Sequence, residues 1–355
     1  MKRLSEWMVV LLLLVAVTLG IGLFAKKGQY ASDGLVVLNY GDYIAPGVVD
    51  MFEEETGIPV IYEEYETPET MYTKYSSHSI NYDVICTSDY MTGKLIEEGQ
   101  VLPLEWENIP NKRWINPVYD EYSASFDPDL RYSVPYFVGT VGILYNSDVV
   151  SRDEASSWNI LWDEKYRGQI IMENSVRDSL IPALRLNGDS INDTSKKALD
   201  PALELLSLQK PLNYAYLSDD AMYEMIMGNA NLALIYSGEA NAAMLENEAL
   251  DYEVPMEGSN LWIDSWFIPK SCAHKAQAEA FIDFMCRPDI AYMNWDHVYY
   301  TTPNTGVYDM LDEDEQSDEA MFPPNDVLRR CEVFRVLGDD EIRTLQELWK
   351  QLKTS

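Results

Sequence analysis

Short apolar runs alternate with amphipathic stretches along most of the chain. Leu35–Asn39 reads as a strand and is followed by the polar turn Tyr40-Gly41-Asp42-Tyr43. Pro46 then opens a helix whose Val48, Val49 and Phe52 share a face and which Gly57 closes. Pro59–Tyr62 is a second strand. Thr67–Tyr75 is a helix entered through the capping-box-like Thr67-Pro-Glu-Thr. Asp83–Cys86 is a third strand, with Ser88 or Asp89 capping a helix that runs to Gly99. This rhythm predicts a mostly parallel sheet covered by helices.

Beyond an irregular region at 103–129, Tyr132–Tyr136 and Gly142–Asn146 read as two strands leading into a second lobe. Gln169–Met172 is a strand that runs through Glu173-Asn-Ser-Val-Arg-Asp178 into a helix ending near Leu186. Further helices are expected at Lys196–Leu206 and Asp220–Gly228. The strand Asn231–Tyr236 ends at Ser237-Gly-Glu239, where another helix starts. In Leu261–Pro269, alternation puts Trp262 and Asp264 on one face and Ile263 and Ser265 on the other. The helices Lys275–Cys286 and Asp289–Trp295 follow, then the loop 299–304, an acidic linker at 312–319 and an amphipathic helix over about 340–353.

Four strands lead into polar turns or helix starts: at Tyr40–Tyr43, Ser88–Tyr90, Glu173–Asp178 and Tyr236–Glu239. Ligands of open parallel sheets collect beyond the carboxyl ends of the strands. The aromatic and acidic side chains therefore fall where a ligand would sit. An indole beside a carboxylate suits an organic cation, because the ring face attracts an ammonium and the carboxylate accepts its hydrogen bonds. Taken alone, Trp262 and Asp264 equally describe a buried strand whose indole fills core. Their company favours the binding reading.

A length of 355 residues suits two lobes, and the charge of −33, from 59 acidic and 26 basic side chains, argues against nucleic acid. The four cysteines (Cys86, Cys272, Cys286 and Cys331) form no Cys-x-x-Cys pair and read as buried thiols, and three histidines supply little for a metal site. No cofactor is expected. Paired carboxylates in a cleft also describe a glycosidase, but Gly-x-Ser-x-Gly and His-Glu-x-x-His are both absent, so an enzyme is disfavoured. Lys2 and Arg3 precede an apolar run from Trp7 to Ala25, which marks residues 1–31 as an export signal, cleaved or kept as a membrane anchor. The body is then expected outside the cytoplasm, in the periplasm or on the outer face of the membrane.

Six motifs carry a specific resemblance: Asn39-Tyr-Gly-Asp-Tyr-Ile-Ala-Pro-Gly47, Tyr65-Glu-Thr-Pro-Glu-Thr-Met71, Tyr82-Asp-Val-Ile-Cys-Thr-Ser-Asp-Tyr90, Ser133-Val-Pro-Tyr136, Trp262-Ile-Asp-Ser265 and Thr302-Pro-Asn304. In this order and spacing the chain resembles, over roughly residues 35 to 353, the spermidine/putrescine-binding proteins of bacterial polyamine ABC transporters. The resemblance implies an α/β, two-lobed fold of the periplasmic-binding-protein type II, with a hinge and an inter-lobe cleft. One lobe would take 35–138 plus 267–308, and the other 139–266 plus 309–355.

It further implies a monomer that captures putrescine or spermidine and delivers it to membrane permease subunits. A receptor for another organic cation or small solute, or a sensory polyamine receptor, would share this cleft. Tyr43, Ser88, Tyr90, Trp262, Asp264 and Tyr300 match the family's ligand-contact types. Asp42 and Asp178 stand where acidic residues are usual. Tyr40 and Tyr236 replace tryptophans, Gly41 replaces a hydroxyl residue, and Asn174-Ser175 replace an Asp pair of spermidine-selective members. Glu239 stands where putrescine-binding relatives carry Asp, and Arg335 aligns loosely with a Gln contact.

Overall fold

The computed structural model describes residues 34–218 and 220–354; the expected export segment lies outside the described residues. Within them, ten strands form one continuous sheet: β1 Leu35–Tyr40, β2 Val60–Tyr65, β3 Val84–Ser88, β4 Val101–Leu102, β5 Ser133–Asn146, β6 Ile170–Glu173, β7 Asn213–Leu217, β8 Leu232–Tyr236, β9 Leu250–Glu253 and β10 Leu261–Pro269. The main order is β2-β1-β3-β10-β5-β8-β6-β7, with β4 beside β10 and β9 beside β5.

The sheet is mixed rather than mostly parallel. β1 runs parallel to β2 and β3, and β6 runs parallel to β7 and β8, but β10 is antiparallel to β3 and β5, and β5 is antiparallel to β8 and β9. The two halves join through β5 and β10. Residues 133–140 of β5 pair with β10, and 141–146 pair with β8 and β9. Sequence reading broke this strand in two at Phe137–Val141. The break is absent because that stretch is wholly buried and crosses from one half-sheet to the other. β7 and β9 were also not anticipated; β7 is largely half-buried, and β9 alternates buried and half-buried residues.

Strand alternation distributes the cores. Leu35 and Val37 enter one cluster with Phe52, Trp266, Phe281 and Trp295, while Val36 and Leu38 enter another with Met71, Tyr82 and Phe267 on the opposite face. In the second half, Leu232 and Leu234 join the cluster of Trp158 and Leu180, whereas Ala233 and Ile235 face Leu261 and Ile263. Each half-sheet is thus covered on both faces, the α/β arrangement expected.

The covering helices begin and end where local chemistry dictates. Helix α1, Val48–Thr56, ends at Gly57, whose left-handed φ of 69° lets its N–H reach the Glu53 carbonyl at 2.8 Å. Helix α2, Pro68–Ser76, starts with proline in its first turn and the Thr67 hydroxyl accepting from the Thr70 N–H. Helix α3, Asp89–Glu97, follows β3 directly; α4, Val176–Leu186, follows β6 after a two-residue turn; and α5, Ser237–Glu246, follows β8 directly. The C-terminal α6, Asp339–Thr354, packs Leu345, Leu348 and Leu352 into the cluster of Trp158. No helix of the described residues is long and apolar enough to cross a membrane.

Candidate binding site

The site is built where β1, β3, β6 and β8 end and the middle of β10 runs past them. Pairing places Asp264 opposite Ser88 on β3 and opposite Phe137 on β5. A register irregularity follows between Asp264 and Ser265. Asp264 is only 8% exposed, and its Oδ2 accepts the Tyr43 hydroxyl at 2.7 Å. Burial pushes its carboxyl up to about 7, partly offset by hydrogen bonding from Tyr43 and Tyr40. The phenols of Tyr40 and Tyr43 are raised well above 10 by their own burial and then by the Asp264 charge, so both remain neutral donors.

Aromatic rings enclose this carboxyl. Tyr43 packs edge-on against Tyr40 at 5.2 Å, Phe137 at 5.2 Å and Tyr300 at 5.7 Å, and Trp262 meets Tyr300 at 5.3 Å. Two glycines make the closeness possible. A methyl group on Gly238 would lie 1.7 Å from Tyr300 Cε1, and one on Gly139 would lie 2.2 Å from Trp262 Cζ2 and 2.7 Å from Ser237 Oγ. The start of α5 therefore abuts the Tyr300–Trp262 wall, which brings residues of the two half-sheets into one site.

A second wall carries Asp178 and Tyr236. Asp178, in the first turn of α4, is 4% exposed and accepts the Tyr236 hydroxyl at 3.1 Å. Its carboxyl is raised by burial. Glu239 stands in the first turn of α5, and its charge acts on Tyr236 together with those of Asp178 and Glu173. Tyr90, at the start of α3, donates to Glu69 at 3.0 Å. A cavity of about 750 Å³ opens beside this wall, lined among others by Tyr90, Ser175, Arg177, Asp178, Tyr236 and Phe334.

Several buried polar atoms of this region have no hydrogen-bond partner among the described residues: Ser88 Oγ, Asp178 Oδ1, Glu173 Oε2, Thr87 Oγ1 and Trp262 Nε1. Buried polar groups normally find partners, so these atoms are open to a partner from outside the chain. No group of acidic, histidine or cysteine side chains with metal-binding geometry occurs among the described residues, and all four cysteines are free, with Cys272 half-buried and the other three buried.

Ten of the twelve residues expected from sequence thus lie on this aromatic and acidic assembly or at its rim. Two do not. Asp42, in a left-handed backbone conformation with φ 55°, has a side chain 93% exposed and paired with His297 at 3.2 Å. Arg335 points away into a network with Glu341, Thr194 and the Asn192 carbonyl. It holds the segment before α6 against the turn at 192–194, which gives its charge a structural partner.

Three acids not expected among the ligand contacts also lie here. Asp89 accepts the Tyr90 N–H at 2.6 Å and the Ile263 N–H at 3.2 Å, tying α3 to β10, and burial raises it to about 7. Glu69 anchors Tyr90, and Glu173 lies at the end of β6. Glu173 was legible as the last residue of an apolar strand that leads into a helix start, the same position Ser88 occupies in β3. Arg177 lies flat on the Phe334 ring at 3.8 Å and donates to the Arg335 carbonyl and Asn192, each at 3.1 Å; burial lowers it to about 10.

Residues 47–323 match the family model described as bacterial extracellular solute-binding protein. The chain is 32% identical over 321 residues to the spermidine/putrescine-binding periplasmic protein of Escherichia coli, covering 90% of this chain and 91% of the relative. It is 31% identical over 342 residues to the protein of that name from Salmonella typhimurium, covering 96% and 97%. Among solved structures, a spermidine/putrescine ABC transporter substrate-binding protein from Streptococcus pneumoniae superimposes with a TM-score of 0.85 at 35% identity, covering 91% of this chain and 99% of that one. With its two half-sheets joined by β5 and β10 and its aromatic and acidic site between them, this chain belongs to the bacterial extracellular solute-binding protein family.

Proposed function

We propose that this protein is the extracytoplasmic receptor of an ABC importer and that it captures a polyamine, putrescine or spermidine, between its lobes. The observation that carries this reading is Asp264, a buried carboxyl held by Tyr43 inside a ring of aromatic side chains. A carboxylate removed from water needs a cationic partner, and an ammonium removed from water needs the same in return. The faces of Tyr300 and Trp262 attract the cation and cover its methylene stem, each such contact contributing about 0.5–2 kcal/mol. Asp178 supplies a second acidic anchor at the second wall, which suits a ligand charged at both ends.

Capture then needs binding and closure, with no bond of the ligand made or broken. The acidic surface attracts the cation, the lobes close by bending at the crossing strands, and the loaded receptor docks on permease subunits. The lobe boundary near 138–139 lies close to the passage of β5 from β10 to β8 at 140–141, whereas β10 already pairs with β3 from Asp264 and Trp266 packs in the first core, which moves that boundary from 266–267 to about 263–264. Leu311 and Met321 pack with the first lobe's Phe52 and Trp295, and the segment from Leu328 onward packs with the second. We take the receptor to act as a monomer outside the cytoplasm, its leader either removed or serving as a tether.

Isothermal titration of the chain from residue 32 onward with putrescine, spermidine, spermine and agmatine tests the reading. Saturable binding to putrescine or spermidine, stronger than to agmatine, is the expected result. A folded protein that gives no heat with any of the four refutes it.

A further inference from the structure

Glu173 has no place in the expected site, yet its surroundings are those of a ligand-binding group. It is the last residue of β6 and only 4% exposed. Its Oε1 accepts the Ser218 hydroxyl at 2.8 Å and the Asn174 N–H at 3.1 Å, while Oε2 is buried with no hydrogen-bond partner. The Ser179 hydroxyl, one residue beyond Asp178, donates to the Glu173 carbonyl at 2.5 Å, locking the end of β6 to the first turn of α4. Asp178 is equally buried and likewise has one oxygen without a partner. Glu239 from α5 and Tyr236 from β8 complete the surroundings, since Asp178 and Glu239 both raise Glu173, and all three acids raise Tyr236.

The neighbouring cation does not neutralise this group. Arg177 is held by Phe334, Asn192 and the Arg335 carbonyl, and its charge is felt by Asp178 and Asp89. Three carboxyl groups from three elements thus converge on one tyrosine with two buried oxygens unpartnered. An acidic cluster of this kind destabilises itself unless protons or a cation occupy it.

Resting on the polyamine reading above, we propose that Glu173, with Asp178 and Glu239, forms the seat for the ligand's second ammonium group and makes Glu173 a specificity-determining residue of the receptor. A primary ammonium has three N–H donors in a tetrahedral fan and can be shared among three carboxylate oxygens around the Tyr236 ring. The seat also accounts for Asn174-Ser175, which bring no charge of their own. The anion lies one position earlier, on the strand end. Before binding, burial holds the Glu173 carboxyl at about 8, so near neutral pH it carries a proton. As the ammonium arrives, that O–H bond breaks and the proton passes to solvent, leaving carboxylate against ammonium.

The experiment is calorimetric titration of wild type and Glu173→Gln with putrescine and spermidine, each in two buffers of different ionisation enthalpy. Infrared difference spectra with and without putrescine accompany it. Wild type is expected to release protons and to lose a carboxylic-acid C=O band on binding. Glu173→Gln should release fewer protons, lose less of that band and bind putrescine at least about tenfold more weakly, as removal of a charge-assisted hydrogen bond implies. Putrescine binding by the variant within about twofold of wild type, with unchanged proton release, overturns the seat while leaving the polyamine reading intact. Failure of wild type to bind any polyamine overturns both. Should Glu173→Gln fold poorly, Asp264→Asn takes its place: with the Asp264 proton removed, saturation by putrescine with no proton release and no loss of a C=O band refutes the seat, and release with loss of the band supports it.

Discussion

Replacing Asp264 by Asn keeps the shape of the side chain and an oxygen for the Tyr43 hydroxyl, and removes only the charge. Truncating one partner of a buried, hydrogen-bonded charge pair costs about 2–5 kcal/mol, so polyamine affinity should fall roughly thirtyfold to several-thousandfold. The ligand-free protein should respond in the opposite sense. In the folded state the Asp264 carboxyl titrates near 7 because burial disfavours its charge, against an ordinary value of 3.8. The folded protein therefore holds this proton more tightly than the unfolded chain does. Its contribution to stability is fully present below pH 3.8, declines as pH rises through about 7, and is then gone. The loss between these limits is at most about 4 kcal/mol. Asp264→Asn does not titrate, so it should match wild type in thermal stability only near or below pH 3.8, already exceed it at pH 5 and exceed it most near pH 8.

Affinity follows the same linkage with the sign reversed, because the ammonium prefers the carboxylate. Wild-type affinity should rise with pH up to about 7, by as much as about tenfold per pH unit for this one proton. The variant should retain only the part of that rise due to Asp89 and the other buried acids. Titration calorimetry and melting curves at three pH values decide the matter. Unaltered affinity, or a variant no more stable than wild type at pH 8, refutes the assignment of Asp264 as a desolvated ammonium anchor.

Gly238→Ala should push the Tyr300 ring off its place, since the new methyl group would lie 1.7 Å from Cε1; weaker polyamine binding in a protein that stays folded is expected, and an equal affinity by calorimetry counts against the Tyr300 wall. Glu239→Gln should weaken putrescine more than spermidine, and an equal loss for both refutes its role at the second ammonium. Arg335→Ala should leave polyamine affinity within about threefold, because its side chain is 41% exposed and paired with Glu341 away from the site, and should lower stability by no more than about 1 kcal/mol; a large loss of affinity on titration would return it to the site.

Local pattern alone placed most strands and helices, because apolar alternation and helix capping are short-range effects. The turn after β1, the starts of α3, α4 and α5, and the Trp262–Asp264 face were legible for that reason, and they hold most of the site. What lies between two elements was not legible. A single strand across 133–146 looks broken in sequence because Gly139 and Gly142 interrupt its apolar run; only the packing of Trp262 and Tyr252 against them shows why small residues stand there. The antiparallel course of β10 was likewise hidden, since pairing direction depends on which strand lies alongside.

Side-chain direction separated the residues that pattern could not. Asp42 and Asp264 are both acids in the matched motifs, yet a left-handed turn sends one to solvent and His297 while strand pairing buries the other against Tyr43. Arg335 and Glu173 differ for the same reason: Glu341 and Thr194 draw the arginine outward, and the end of β6 buries the glutamate. The sequence by itself determined most of the elements, the acidic charge and the family motifs, because these are properties of neighbouring residues or of their order along one chain. Only the tertiary structure decided which acids lose their water, because desolvation is the work of side chains distant in sequence, and it is desolvation that turns a carboxylate into a seat for a cation.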